Sequence, residues 1–527
     1  MFKQLKKDKE KIQKELVYNI SLKDFSEYCK KNSLLIIITI VILGLAHGAN
    51  LFYNNLGMDT KSFVEFPDFS YNWLGIGRFG LLIERALLNL TMFSSYYASA
   101  LFFIFLILSN SVLYYTIYKI SNKDLGLINL CIPLIAFTHP IWVEQFVYML
   151  QIAEIAMAIF ITCLAILFIF NWIQNKRILS LFLGIICMIV SFASYQSFVA
   201  IYITLCIFVF LMMHENIEKT KSSFLTILKL ISSFGIAFGL YRFIVSKLPA
   251  NTAYIDTSFF WGNRPLEEIL NFIKSNITDV TLGNGNYYNL GYLLGSILFI
   301  IAIIIKIIKE KELRKINKII WYILSGIAFI LTPFFMTIAI GHAPMIRAQL
   351  ILPFTQALLI MFSFYVMNEQ KLLKIIPIIL IIFVFETQLY MTETLYYTEK
   401  MRNESDIRIA YEIINDLGRN GVKENTKVAI VGHQDARLNP TCIKGETVGI
   451  SLFTLNYGVK PYYVHTNAGI IGLFKCLGYS YKEPTTENML EARNIAKEMP
   501  IWPEEGSIIK KEDYVIVKIS DDEMPLE

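Results

Sequence analysis

The chain has 527 residues, of which 55% are hydrophobic and only 17% are charged. Soluble globular domains carry about 25% charged residues, so this composition excludes an ordinary soluble protein and indicates a polytopic membrane protein. The formal net charge of +5 is small for this length and does not point to a nucleic acid as the partner.

Apolar segments recur along the chain at lengths that suit membrane-spanning helices. Residues 1–32 form a polar, mostly basic leader, which we expect in the cytoplasm. Residues 33–395 are predicted to form a transmembrane domain, because about 20 apolar residues suffice for one span. This rule predicts about eleven spans, at residues 33–52, 98–120, 125–137, 152–173, 178–194, 198–213, 224–245, 290–308, 319–340, 348–367 and 375–390.

Lysine and arginine are concentrated in every second loop between these segments. The short loops on one side contain Lys119, Lys176, Arg177 and the basic run at 309–318. The basic residues of the other side are spread over longer loops. Short cytoplasmic loops are enriched in these residues. The bias therefore predicts a cytoplasmic N-terminus and places residues 396–527 outside the cytoplasm.

The predicted outer segment, residues 396–527, differs from the rest in composition. It alternates amphipathic helical patterns with short apolar runs, which is typical of a small α/β domain. The predicted elements are a helix at 406–417 with Gly418 as its stop, a strand at 426–432, a helix at 486–499 and a strand at 514–519. The run VAIVG before His433 lacks the GxGxxG pattern, so we predict no nucleotide site there.

Polar and charged residues collect on the predicted outer side of the membrane domain, where they are costly unless they serve a function. The first outer loop ends in an amphipathic stretch whose apolar face and two arginines, Arg78 and Arg85, suit a helix along the membrane surface. Glu154 lies two residues inside a predicted span and needs a partner or a polar cavity. The candidate site residues on this side are Asp59, Asp68, Trp73, Arg78, His139, Glu144, Tyr195, Gln196, Arg264 and Arg347.

Each candidate also has a purely structural interpretation. Arg78 can extend towards lipid headgroups without binding a substrate, and His139, which precedes Pro140, can be a turn residue. Gln196 can satisfy backbone groups at the break between two spans. Arg264 can pair with Glu267 at the surface, where such a pair contributes little.

Four stretches resemble a known family. They are HGANLFYNNLGMDT from His47, WLGIGRFG from Trp73, SYQSFVAIYITL from Ser194 and APMIRAQLILPF from Ala343. These stretches resemble the type II Gtr (GtrII-type) glucosyltransferases, which are integral membrane enzymes of the wider GT-C class. The resemblance implies a sugar donor on polyprenyl phosphate, typically glucose, that is used on the outer face. It also implies a cell-surface polysaccharide as acceptor, such as O-antigen or a teichoic-type polymer.

Transfer from such a donor requires a base for the acceptor hydroxyl and positive charge for the departing phosphate. The GT-C resemblance implies an essential acid in the first outer loop, where Asp59 lies, and Glu144 is the alternate base. Arg78, together with Arg347 or Arg264, is expected to bind the phosphate. The remaining expected substrate-binding residues are Asp68, Trp73, His139, Tyr195 and Gln196. No metal ligand set is evident, although a divalent metal could replace one arginine.

Two other functions stay open at this point. A flippase or transporter of lipid-linked sugars is expected to carry charges along its spans and paired broken helices in two repeats, whereas here the charges lie at the outer ends. A polysaccharide polymerase is the other alternative. A transferase also needs a donor-synthesising enzyme and a separate flippase as functional partners, as well as the surrounding membrane lipids.

Overall fold

The computed structural model describes residues 20–53, 55–57, 70–90, 94–122, 124–214, 220–249, 259–310, 316–454 and 466–521. Two of the predicted site residues, Asp59 and Asp68, lie outside the described residues. The described chain is mainly helical as far as Arg419, and a small sheet follows.

The helices before the sheet vary widely in length. They are α1 (Leu22–Lys31), α2 (Ser33–His47), α3 (Ala49–Phe52), α4 (Ser70–Gly75), α5 (Phe79–Leu87), α6 (Ser95–Ser121), α7 (Ile141–Phe146), α8 (Ile152–Asn175), α9 (Ile178–Ser194), α10 (Ser197–His214), α11 (Thr220–Val245), α12 (Leu266–Leu282), α13 (Gly291–Lys309), α14 (Ile316–Leu331), α15 (Phe335–Ile340), α16 (Ile351–Met367) and α17 (Ile375–Arg419). Short 3₁₀ turns lie at Gly126–Leu130, Met149–Gln151, Thr332–Phe334 and Ile346–Ala348, and a π-helical turn lies at Ile132–Ala136.

Six helical segments within the described residues are long and apolar enough to cross a membrane. They are Ser95–Ser121, Met149–Asn175, Ser223–Val245, Gly291–Lys309, Lys318–Ile340 and Ile375–Arg419. The helices α1 and α2 meet at an angle of 79° and add a seventh span if the bent pair counts as one. The helical membrane class predicted from the sequence is therefore confirmed.

The predicted count of about eleven spans is not confirmed. Four of the predicted segments form apolar helices of only 10–17 residues: Gly126–Ala136, Ile178–Ser194, Ser197–Met213 and Ile351–Met367. At about 1.5 Å per residue, such helices extend about 15–26 Å, which is less than the hydrocarbon thickness of about 30 Å. The first of them contains Pro133 and is wound as 3₁₀ and π turns, since proline removes a backbone donor.

Helix α8 lies at the centre of the bundle and packs mainly against α6 and α9. It is apolar on all sides and buried along most of its length, as expected for a helix that is surrounded by others. A Cβ atom at Gly184 of α9 would lie 2.7 Å from Ile169 Cδ1 of α8. Glycine is therefore required for the close approach of these two helices.

Helix α17 is continuous over 45 residues, or about 67 Å. It contains both the predicted last span at 375–390 and the predicted tail helix at 406–417. These were predicted as separate elements, and the structure shows that they form one helix. Gly418 lies within its final turn, and Asn420 is the C-cap. The predicted start of the outer domain at residue 396 thus falls inside one helix, which extends from the membrane bundle into the tail.

The tail contains a three-stranded sheet with the order β1-β3-β2. Strands β1 (Lys427–Val431) and β3 (Tyr514–Lys518) are parallel, with Lys427 opposite Tyr514, and β2 (Ile508–Lys510) pairs antiparallel with β3. Helices α18 (Thr466–Cys476) and α19 (Thr486–Ala496) complete the domain. Both predicted strands and the second predicted tail helix are confirmed, while α18 and β2 were not predicted.

Alternate residues of β1 point to two separate cores, as the two-residue period of a strand requires. Val428 and Ile430 pack in a cluster with Ile413 of α17. Ala429 packs on the opposite face in a cluster with Met489 of α19. The end of α17 is therefore part of the tail core, and the orientation of the tail follows that of this helix.

Candidate active site

The turn between α4 and α5 positions Arg78 beside two other predicted site residues. Gly77 has a φ of +74°, and a Cβ there would lie 3.2 Å from both Val245 methyl carbons, so the turn requires glycine. Arg78 Nε donates to Gln196 Oε1 at 3.4 Å, and its guanidinium carbon lies 4.4 Å from the centroid of the Tyr195 ring. Arg78 thus lies beside the adjacent residues Tyr195 and Gln196, which are more than 100 positions away in the sequence.

Gln196 holds this cluster to the backbone. Its Nε2 donates to the carbonyl oxygen of Ile76 at 2.9 Å and approaches the hydroxyl of Tyr241 at 3.5 Å. Gln196 is thus a backbone partner, but of the turn before Arg78 and not of the break between α9 and α10 as its structural interpretation has it, and the same side chain also orients Arg78.

Arg347 lies on the 3₁₀ turn Ile346–Ala348 and packs over Tyr148. Its Nη1 donates to the Tyr148 hydroxyl, and its guanidinium carbon lies 4.9 Å from the centroid of that ring. Ser197 Oγ donates to the carbonyl oxygen of Ala348 at 2.7 Å. This bond joins the segment that bears Tyr195 and Gln196 to the segment that bears Arg347, so the two arginine clusters are neighbours.

Arg85 occupies a buried ion pair. Its Nη1 donates to Glu154 Oε1 at 2.9 Å and to the carbonyl oxygen of Leu150 at 3.1 Å. The Trp73 ring centroid lies 5.5 Å from the Arg85 guanidinium carbon. Arg85 is thus the partner that Glu154 requires, and Trp73 supports the pair.

Glu84, the residue before Arg85, is also fully buried. It accepts a hydrogen bond from Ser194 Oγ at 2.8 Å. Burial raises the pKa of the Glu84 carboxyl well above its ordinary value. This shift favours a neutral Glu84. The positive charge of Arg85 is therefore offset by Glu154 and not by Glu84.

Glu144 is fully buried on α7, and both of its oxygens accept hydrogen bonds from the tail. The backbone N–H groups of Glu446 and Thr447 donate to it at 2.7 and 2.9 Å, and the Thr447 hydroxyl donates as well. The Tyr287 hydroxyl adds a further bond, and burial together with Glu144 raises the pKa of Tyr287 and keeps this donor protonated. Glu144 thus anchors the tail to the membrane domain.

Two other predicted site residues lie in different surroundings. His139 is buried and accepts a hydrogen bond from the N–H of Ile141 at 3.3 Å, which fits its interpretation as a turn residue. Burial lowers the pKa of His139 to about 3. Arg264 is exposed and pairs with Glu268 at 3.4 Å, rather than with Glu267. The contacts of Arg264 within the described residues do not include the Arg78 or Arg347 clusters.

A family model described as glucosyl transferase GtrII matches residues 48–364, which is more than half of the chain. The chain belongs to the GtrII glucosyl transferase family. No individually curated protein and no solved structure matches it. Membership in the GtrII family implies a glycosyltransferase, and the matched region contains both the Arg78 and the Arg347 clusters.

A second group of anchoring residues in this GtrII family member was not predicted from the sequence. Arg402 is buried on α17 and pairs with Glu399 and with Asp406, the latter at 3.1 Å. Glu399 accepts the N–H of Gly449 at 2.9 Å, and Asp406 accepts the N–H of Leu452 at 2.9 Å. In the sequence, this group is indicated only by the spacing of Glu399, Arg402 and Asp406, which places them on one helical face. That spacing is meaningful only if α17 is continuous.

The tail segment 444–452, which we term the docking loop, is therefore held by three buried carboxylates. Glu144 binds it from the membrane domain, and Glu399 and Asp406 bind it from α17. Glu446 of the same loop accepts the N–H of Ile346 at 2.9 Å. The docking loop thus lies beside the turn that carries Arg347.

Among the described residues, no group of three or more His, Cys, Asp or Glu side chains is arranged to hold a metal ion. The positive charges of the Arg78 and Arg347 clusters are guanidinium groups, which match phosphate oxygens through paired N–H donors.

Proposed function

We propose that this GtrII family member transfers a hexose, in particular glucose, from a polyprenyl-phosphate sugar to a cell-surface polysaccharide. The reaction is expected on the outer face of the cytoplasmic membrane, with the N-terminus in the cytoplasm and the tail outside. The observation that carries this proposal is the placement of Arg78 and Arg347 on adjoining segments within the region that matches the family.

The two arginines suit a phosphate leaving group. Among the described residues, Arg78 forms its hydrogen bond through Nε alone, so its two terminal nitrogens are available to a phosphate. Arg347 is oriented by stacking on Tyr148. Charge-assisted hydrogen bonds from guanidinium groups stabilise the negative charge that develops on the phosphate as the bond to the sugar breaks.

We assign the role of base to Asp59 and not to Glu144. A base must be able to take a proton from the acceptor, whereas both oxygens of Glu144 already accept hydrogen bonds from the docking loop. Gly57, two residues before Asp59 in the chain, packs so closely on the Val147 carbonyl that a Cβ would lie 2.9 Å from its oxygen. Val147 directly precedes Tyr148, the residue on which Arg347 stacks.

The proposed step is a single displacement with inversion at the anomeric carbon. The acceptor hydroxyl oxygen forms a bond to that carbon, while the bond between the carbon and the phosphate oxygen breaks. The electron pair leaves with the polyprenyl phosphate, which Arg78 and Arg347 stabilise. The hydroxyl proton passes to the Asp59 carboxylate.

A transfer assay tests this function. Purified protein in nanodiscs receives polyprenyl-phosphate-[14C]glucose and a crude surface-polysaccharide fraction, beside an Asp59→Asn variant. We expect label to enter the polymer with the wild-type protein and to fall by at least 100-fold with the variant, within the range of about 10² to 10⁴ that general bases contribute. Full transfer by the variant at equal protein levels would sink the assignment of Asp59. With the same protein in sealed proteoliposomes, movement of the donor across the membrane without transfer would instead support a flippase.

A further inference from the structure

An apolar cavity of about 400 Å³ lies among helices α10, α11 and α14. Tyr202, Phe234 and Trp321 contribute aromatic rings to its wall, one from each helix. Two other lining residues, Ile231 and Leu324, are 62% and 53% exposed. The cavity therefore opens sideways through the apolar outer surface of the bundle, where a lipid can enter.

A row of aromatic rings leads away from this cavity. Tyr202 stacks on Phe234 with ring centroids 6.3 Å apart, and Phe234 stacks on Phe238 at 5.7 Å. Phe238 in turn lies 6.2 Å from Tyr241. Residues 234, 238 and 241 share one face of α11 and advance about 10 Å along it, so the row continues the cavity towards the end of this helix.

The aromatic row ends at the Arg78 cluster. The Tyr241 hydroxyl lies 3.5 Å from Gln196 Nε2, and Gln196 Oε1 accepts from Arg78 Nε. The residues along this line thus change from a mainly apolar cavity lining, through aromatic rings that end at the buried Tyr241, to the cationic Arg78. This order matches a ligand with a long apolar chain and one anionic group at its end.

We propose that the cavity and the aromatic row bind the first isoprene units of a polyprenyl phosphate, with its phosphate at Arg78. This inference rests on the proposed function for the identity of the lipid, and it adds where the tail lies and which residues select it. A single unsaturated, methyl-branched chain suits one row of aromatic rings. A diacyl phospholipid carries two chains and would leave one of them outside the row.

Photocrosslinking of a lipid without any sugar tests this placement. The full chain in nanodiscs is incubated with a polyprenyl monophosphate that carries diazirines on its first isoprene units, and labelled peptides are identified by mass spectrometry. We expect labels on residues 202–210 and 227–241. Ala328→Trp, which fills the cavity from α14, is expected to lower this labelling at least tenfold.

The neighbouring helix position provides a matched control. Ile327 is 51% exposed and does not line the cavity, so Ile327→Trp is expected to keep labelling within twofold of the wild type. Ser325→Phe, which fills the cavity one turn earlier, gives a second variant if Ala328→Trp does not fold. Undiminished labelling in a folded cavity-filling variant would overturn the inference.

Two further results would also overturn the inference. One is labelling confined to helices other than α10, α11 and α14, and the other is displacement of the probe by phosphatidylglycerol as effectively as by unlabelled polyprenyl phosphate. The outcome is independent of sugar transfer because the probe carries no sugar. Labelling at the cavity without glucose transfer would reject the proposed function and leave the lipid site in place. Glucose transfer with labels on other helices would support the proposed function and reject the lipid site.

Discussion

Arg78 and Arg264 are chemically identical, yet the fold gives them different surroundings. Arg78 is half-buried, stacked on Tyr195 and bound to Gln196, whereas Arg264 is exposed beside Glu268. A guanidinium that is held by its neighbours loses little further entropy when it binds a ligand. An exposed ion pair such as Arg264 with Glu268 contributes little to stability, because its charges interact in a medium of high dielectric constant.

Replacement of Arg78 by glutamine is therefore expected to lower the transfer rate by about 10²- to 10³-fold, the usual effect of removing one donor to a developing negative charge. Arg78→Lys should recover only part of the rate, since lysine keeps the charge but loses the planar fork. Initial rates with the polyprenyl-phosphate-glucose donor measure both effects. Arg264→Gln is the matched control, with a rate within twofold of the wild type. Equal losses at the two positions would contradict the assignment of Arg78.

The buried histidine His139 predicts a pH dependence of stability. Its pKa is about 3 in the folded protein and about 6.5 in an unfolded chain. Below pH 6.5 the unfolded state takes up a proton that the folded state does not, so the free energy of unfolding falls as the pH falls. At pH 5 this loss is about 2 kcal/mol, and it continues to grow towards pH 3.

Thermal unfolding in detergent at pH 7.5 and pH 5.0 tests this contribution. The melting temperature of the wild type should fall more between these two pH values than that of His139→Gln, which cannot titrate at this position. Any general destabilisation by the substitution appears at both pH values and cancels in the comparison. Equal falls in the two proteins would show that His139 is not the group responsible.

At the scale of elements, the docking loop depends on one carboxylate that was expected to be catalytic, Glu144, and on two that were not predicted, Glu399 and Asp406. Glu144 accepts backbone donors from Glu446 and Thr447. Gly445 allows this approach, because a Cβ there would lie 2.1 Å from Glu144 Oε1 and 2.0 Å from the Tyr287 hydroxyl. The loop thus needs both an acceptor on α7 and the absence of a side chain opposite it.

Glu144→Gln replaces one acceptor oxygen by an amide donor that faces other donors. We expect the bound state of the docking loop to lose about 3 kcal/mol, which corresponds to roughly 100-fold faster hydrogen exchange of the amides at 445–452. Gly445→Ala should have the same effect by steric exclusion. Glu412→Gln is the control, since Glu412 forms an exposed pair with Arg437. Unchanged exchange in both test variants would reject the anchoring role.

At the scale of the whole molecule, α17 connects the membrane bundle to the tail as one rigid helix. Within the bundle it packs against α16 and α13, and its last turns belong to the tail core. Glu399 and Asp406 face the docking loop because α17 continues without a break, so the direction of each side chain is fixed relative to the bundle.

Insertion of one alanine after Thr394 should break this relation, because it rotates the rest of the helix by about 100°. We expect the amides of Gly449 and Leu452 to lose their protection from hydrogen exchange and transfer to be lost with it. An alanine inserted between Glu504 and Glu505, in an exposed turn of the tail, should leave both intact. Normal protection after the insertion in α17 would mean that the tail docks independently of the helix.

Some features of the protein follow from the sequence because they depend on local composition. The membrane class, the two tail strands and the gathering of polar residues beside apolar segments are visible as hydropathy and periodicity. The GtrII family was also evident from short motifs such as GMDT and IGRFG, since these stretches lie within the matched region. The number of spans was not evident, because the sequence pattern does not show whether an apolar helix of 17 residues or fewer crosses the membrane or ends within the bundle.

The sequence by itself thus determined the kind of protein and most of the residues from which a site can be built. Only the tertiary structure decided their partners: Gln196 for Arg78, Glu154 for Arg85 and Glu268 for Arg264. The tertiary structure also shows that the last span and the tail helix form one helix, and that Glu144 binds the docking loop. The physical reason is that hydrophobic patterns act over a few residues, whereas the pairing of a buried charge depends on whatever distant segment the fold brings within about 3 Å.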